Sequence, residues 1–207
     1  MVDLDRAGPD GADPDDADLD MADVGPDNLA ALDRLFATER STRHCWCVAF
    51  CRSGPAFAAG WYGGGNRRHF EAMAARGPMG VLAALNDEPV GWCACGPRAR
   101  YRAAEQGRSR PLTLLPRADD DRVWLVACLF VARDARGRVA LPLIRAAVDL
   151  ARRQGASAVE AWPVSSSTRR RPEWAHVGRE AAFTRLGFTI VDRPTPDRAI
   201  MRLDLAG

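Results

Sequence analysis

The 207-residue chain contains no lysine, and all 29 of its basic residues are arginine. Without an ε-amine it cannot be acetylated on a lysine side chain. Planar, bidentate guanidinium groups suit phosphate, although a GC-rich coding sequence would give the same bias. Long apolar runs are also missing. No stretch approaches a membrane span, and the N-terminus lacks the basic start and apolar middle of a secretory signal. A soluble cytoplasmic protein is therefore expected, with no membrane partner. Tyrosine is scarce, with only Tyr62 and Tyr101, so few phenols are available as acids. No internal repeat is present.

Charge is unevenly placed. Up to Asp27 there are ten Asp and one Arg, whereas the remainder holds 17 acids and 28 Arg. Residues 1–27 have few large apolar side chains and cannot offset their ordering entropy. They read as an acidic disordered tail ahead of one domain, 28–207. A basic body suits nucleic acid or an anionic small cofactor; the cofactor is the reading adopted here, with no nucleic acid. Six cysteines include two C-x-C pairs, Cys45/Cys47 and Cys93/Cys95, together with Cys51 and Cys128. Both pairs are read on strands, where alternate thiols share an apolar face. Buried free thiols and no metal are expected, since zinc motifs more often read C-x₂-C between turns.

Periodicity predicts a helix over 28–38 and a strand over 44–52. A glycine-rich flexible connection follows at 60–66, then a helix over 67–76. Residues 80–85 and 89–95 form a hairpin turning at 86–88. Residues 96–121 form a long loop, a length often tied to function. The most informative stretch begins at the strand 123–131. It passes through the basic loop Ala135-Arg136-Gly137-Arg138 into a helix with Val139, Leu143, Ala147 and Leu150 on one face. Gly155 ends that helix, and a strand follows at 157–161. This is a βαβ unit. Free N–H groups and the helix dipole make its loop an anion site, and Arg133, Arg136 and Arg138 point to phosphate. A last helix over 174–186 precedes strands over 188–192 and 199–204.

Four stretches, LFVARDARGRVALPLIRAAVDLARRQGA, VEAWPV, AAFTRLGF and VLAALNDEPVGWCACGP, occur in an order that resembles the GCN5-related N-acetyltransferases over 28–205. The resemblance implies an α/β (α+β) fold, with a mixed sheet whose two central strands splay into a V. It implies acetyl-CoA in that V and transfer of its acetyl group by direct attack of a small-molecule or peptide amine. A monomer or homodimer would do this. Backbone groups of Leu129, Phe130 and Val131 would meet the pantetheine arm. Arg136, Gly137, Arg138, Val139 and Ala140 would hold the pyrophosphate, and Phe183 and Arg185 would border the cofactor from the late helix.

The chain departs from the family's pattern in three places. Matched without a gap, Arg138 stands where a glycine is usual; with one residue deleted, Arg136 and Gly137 fill the first two motif positions instead. Phe183 replaces a tyrosine that protonates the leaving thiolate in many members, and Leu125 lies close to the place of a carboxylate base. Pro142 is read in the first helical turn. Catalysis would then fall to Glu160 as base, Tyr101 as substitute acid and His176 as a titratable group near neutral pH. Cys128 reads as core filler rather than an acyl carrier, and Arg169-Arg170-Arg171 as a 3′-phosphate site or a solvated loop. A catalytically weak acyl-CoA-binding relative, acting through protein interaction, is the alternative reading.

Overall fold

A computed structural model of the chain describes residues 19–101, 122–165 and 176–205. Its centre is a seven-stranded sheet in the order β1-β2-β3-β4-β5-β7-β6. The strands are β1 (Leu19–Asp23), β2 (Gly80–Leu85), β3 (Glu88–Pro97), β4 (Val123–Val131), β5 (Ala158–Ala161), β6 (Thr189–Thr195) and β7 (Arg198–Asp204). All neighbours are antiparallel except β4 and β5. The mixed sheet expected from the sequence is therefore present.

Helices cover both faces. On one lie α1 (Leu29–Ala37), α2 (Arg40–Cys45), α3 (Gly54–Ala59) and α4 (Gly65–Ala74). In α1, Leu32, Leu35 and Phe36 fall on one stripe and pack with Trp46, Phe70 and Trp92. On the other face lie α5 (Arg136–Arg153) and α6 (Glu180–Arg185). In α5, Val139, Leu143, Ile144 and Ala147 are buried against Val81, Cys93 and Val126. Gly91 on β3 permits this approach: a Cβ there would lie 2.8 Å from a Val139 methyl and 3.1 Å from one of Leu143. The hairpin turn uses Asn86 and Asp87, both left-handed at φ 49° and 65°, which matches the twist of the paired strands.

Four expectations are corrected. Residues 44–52 form no strand. The chain leaves α2 through Trp46 and Cys47, both at φ 49°, and this bend drives Trp46 edge-on against Phe36 (5.3 Å) and Phe70 (5.6 Å). Burial of one large aromatic outweighs the local β pattern. The boundary at Asp27 is also wrong, because β1 pairs with β2 from Leu19 and Val24 is fully buried. Asp23 meets Arg153 at 2.8 Å. Residues 1–18 lie outside the described residues. The late helix spans only Glu180–Arg185, preceded by a turn at 176–177, left-handed Gly178 and the single extended residue Arg179. Finally, the loop 60–66 is pinned rather than a flexible connection. Buried Asn66 donates to the carbonyls of His44 (2.9 Å) and Phe57 (3.3 Å) and accepts from Arg52 (2.7 Å).

β6 is a sheet edge, and its register with β7 shifts twice, between Ile190 and Asp192 and between Asp192 and Thr195. Ile190 and Val191 are about half exposed.

A chain beginning at Val24 loses β1 and should melt lower, by about 2–4 °C for each kcal/mol of lost pairing and burial. A calorimetric scan tests this; an unchanged Tm would mean that β1 adds no stability.

Candidate active site at the split between two parallel strands

β4 and β5 pair only over Val123–Val126 and Ala158–Ala161. β4 continues to Val131, but Val164, beyond β5, bridges to Arg198 on one side and Arg179 on the other. The strands thus start parallel and part, and residues 176–180 enter between them. Val164 N–H donates to the Gly178 carbonyl at 3.0 Å, and Glu180 N–H donates to the Val164 carbonyl at 3.0 Å. Leu129 N–H donates to the His176 carbonyl. Gly178 is left-handed at φ 78°, and a Cβ there would lie 2.8 Å from the Phe183 ring and 3.5 Å from a Leu129 methyl.

From Val131 the chain passes through a 3₁₀ turn, Arg133–Ala135, straight into α5. The expected basic loop is therefore largely the helix's first turn. Ala135 at the N-cap offers no side-chain cap, and that turn carries no acid. The first N–H groups of a helix lack intrahelical partners. Arg136, Gly137 and Arg138 are exposed, and the space beside Gly137 is open. Val139 is buried beneath the sheet, and Ala140 is half-buried. The Arg136 Nε folds back to the Val131 carbonyl at 3.3 Å. Pro142 stands in the second helical turn rather than the first, so the helix has no N–H there for the Arg138 carbonyl. The uncapped N–H groups and the exposed arginines fit an anionic group at the head of α5.

Glu160, expected as a base, is buried in an ion-pair cluster. Its Oε1 accepts from Arg202 at 3.0 Å and its Oε2 meets Arg98 at 3.3 Å. Arg98 is itself 2 % exposed. Each carboxylate oxygen thus faces a cation. Tyr101 follows the end of β3 that lies against the start of β4, whereas the split opens at the other end of β4. Burial raises its hydroxyl well above the usual value, with Arg100 opposing. His176 stands in the split, where its carbonyl accepts from the Leu129 N–H. The His176 ring stacks on Phe50 at 6.1 Å, and Phe50 meets Trp162 edge-on at 5.0 Å. Phe183 is fully buried, edge-on to Phe188 at 5.2 Å, and Arg185 is exposed. Arg169 to Arg171 lie outside the described residues.

Sequence reasoning missed the arginines around Glu160, the aromatic stack on His176, and Gly178. Only Gly178 left a signal, a glycine two residues ahead of a short helix.

The six cysteines are free thiols. Cys93 and Cys95 are buried on the α5 side of β3, whereas Cys47 meets Cys128 across the other face at 3.2 Å. Among the described residues, no group of three or more His, Cys, Asp or Glu is placed to hold a metal ion. No described helix is long and apolar enough to cross a membrane. A surface pocket of about 250 Å³ between α1, α2 and the loop into α4 is lined by Asp33, His44, Trp46, Trp61 and Arg67, among others. Its Asp33 and Arg67 pair with each other at 2.8 Å.

The family model described as acetyltransferase (GNAT) matches residues 38–178, more than half of the sequence. The chain belongs to the GNAT family. It is thereby an acetyl-CoA-dependent N-acetyltransferase.

Solved structures agree in fold. The PaiA N-acetyltransferase from Thermoplasma acidophilum, in complex with coenzyme A, superposes with a TM-score of 0.52 at 9 % identity, covering 90 % of this chain and 99 % of that one. YncA from Salmonella typhimurium, a putative acetyltransferase with acetyl-CoA, gives 0.53 at 15 %, covering 91 % and 95 %. A ribosomal-protein-alanine N-acetyltransferase from Brucella melitensis gives 0.52 at 16 %, covering 89 % and 99 %. No curated protein sequence matches the chain.

Glu160→Gln should leave Arg98 buried beside a neutral side chain and cost about 3–5 kcal/mol of stability. The pH profile of kcat/KM should keep its wild-type shape, because the carboxylate is committed to two guanidinium groups. A flattened profile at wild-type stability would make Glu160 the base after all.

Burial pushes the Cys51 and Cys95 thiols up to about 12 from 9.0. Folded thiols then hold protons that unfolded ones release above pH 9. Their contribution is fully present below pH 9 and is lost as pH rises toward 12, by roughly 1.4 kcal/mol per pH unit for each thiol. Urea unfolding at pH 8, 9 and 10 should show the decline, and it should shrink in Cys95→Ala.

Proposed function

We propose that the enzyme moves an acetyl group from acetyl-CoA to the amine of a small molecule or peptide by direct attack. The amine nitrogen adds to the thioester carbonyl, the C–S bond breaks, and CoA leaves as its thiolate. One observation carries the placement: the exposed, uncapped basic turn of α5 follows directly on the end of β4 that has left β5. The pyrophosphate would lie against Arg136, Gly137, Arg138, Val139 and Ala140, where N–H groups and guanidinium groups converge. The pantetheine arm would run along Leu129, Phe130 and Val131, pairing with β4 as an added strand does.

The proton inventory follows from the same geometry. Glu160 faces two cations, and burial holds the proton on Tyr101. Of the three candidates, His176 is the one at the split, and in its neutral form it would take the amine proton directly or through water. Phe183 has no proton to give, so the thiolate would be protonated by water. The PaiA and YncA structures hold coenzyme A and acetyl-CoA, which supports the donor. We keep the acceptor apart from nucleic acid and place the enzyme in the cytoplasm as a monomer or homodimer.

Calorimetric titration with CoA tests the placement. Arg136→Ala and Arg138→Ala should each weaken binding roughly 10- to 100-fold, the range for hydrogen bonds to charged groups, and reduce its salt dependence. Wild-type affinity in both variants would remove the pyrophosphate from this turn. Turnover on a panel of amines identifies the acceptor.

A further inference from the structure

The space between β4 and the end of β5 is filled by the chain's own backbone. Leu129 N–H, on the splayed part of β4, is held by the His176 carbonyl. Two residues later the same segment pairs with Val164, which gives its N–H to Gly178 and its carbonyl to Glu180. Residues 176–180 therefore lie where an extended ligand would add to β4, and they use a donor such a ligand would need. An amide N–H of this kind serves one strong acceptor at a time.

The segment is built for this position. Gly178 adopts φ 78°, a conformation costly for any other residue, and its missing Cβ leaves room for the Phe183 ring and Leu129. Val177, fully buried, is an apolar anchor, and the His176 ring stacks on Phe50. Arg179, just beyond, is exposed.

We infer that residues 176–179 form an autoinhibitory strap. It stands in for the pantetheine arm in the free enzyme; when acetyl-CoA binds, its backbone leaves Leu129 while the His176 ring keeps its stack on Phe50 beside the split. The inference rests on the proposed course of pantetheine along β4. The observed affinity for CoA is then the intrinsic affinity multiplied by the fraction of molecules with the strap withdrawn. Loosening the strap should tighten cofactor binding, the reverse of what damage to a binding wall does.

Amide hydrogen exchange by NMR, on the full chain with and without saturating CoA, reads this directly. Leu129 N–H should stay protected in both states, because one acceptor replaces the other. Val164 and Glu180 N–H, whose partners belong to the strap contact, should exchange at least about tenfold faster with CoA bound. If CoA binds and both amides keep their protection, the strap does not move and the inference is overturned.

Gly178→Ala, strained in the closed form, should bind CoA about tenfold more tightly. Val177→Ala, which loosens the anchor without touching φ, should shift affinity in the same direction. Unchanged or weaker binding in both variants, with wild-type circular dichroism, overturns the inference as well. Absence of CoA binding to wild type and variants alike is a different result: it defeats the proposed cofactor placement itself, and the strap with it.

Discussion

Four residue pairs hold β4 to β5, and the site depends on the ladder stopping there. Had the pairing continued through Leu129 and Val164, the backbone groups of both strands would be spent on each other. Instead β4 keeps a splayed end whose polar groups must find other partners, since buried amides are rarely left unmade. One of them finds His176. Val131 turns its carbonyl to Arg136, which draws the end of the strand and the start of α5 together. The Glu160 cluster reinforces the closed end: it links β5 to Arg98 after β3 and to Arg202 on β7, beside the last paired residues.

Much of the fold was legible because its strongest elements are local. The helical stripe of Val139, Leu143 and Ala147, the Asn86-Asp87 turn and the run 123–131 each state their structure within a few residues. The errors fell where distant partners decide. Residues 44–52 alternate like a strand, but Trp46 is captured by Phe36 and Phe70, which lie ten residues before and 24 residues after it. Residues 19–23 have too little apolar surface to predict order, yet β2 offers them a ladder. Pairing supplies what composition withholds.

The site was legible in part for the same reason. A basic turn between a strand and a helix is a local signal, and Arg136 to Arg138 stand exposed where it put them. The role of Glu160 was not a local matter. Its partners sit 62 residues before and 42 residues after it, and neither arginine is marked by anything nearby. The same holds for the contact of Cys47 with Cys128, 81 residues apart. A sequence shows which groups are present; the topology decides which of them neutralise each other.

The outer strand β6 has a consequence beyond the site. A sheet edge offers an unfinished ladder to any chain that passes, and Ile190 and Val191 would make that edge adhesive. Within it, however, two register shifts break the regular spacing of donors and acceptors, Pro194 has no N–H to give, and Asp192 and Arg193 bring charge. An incoming strand would meet gaps where it needs bonds. Sheet growth therefore ends at seven strands on this side, and the molecule can display apolar residues at its border without recruiting copies of itself into a fibre.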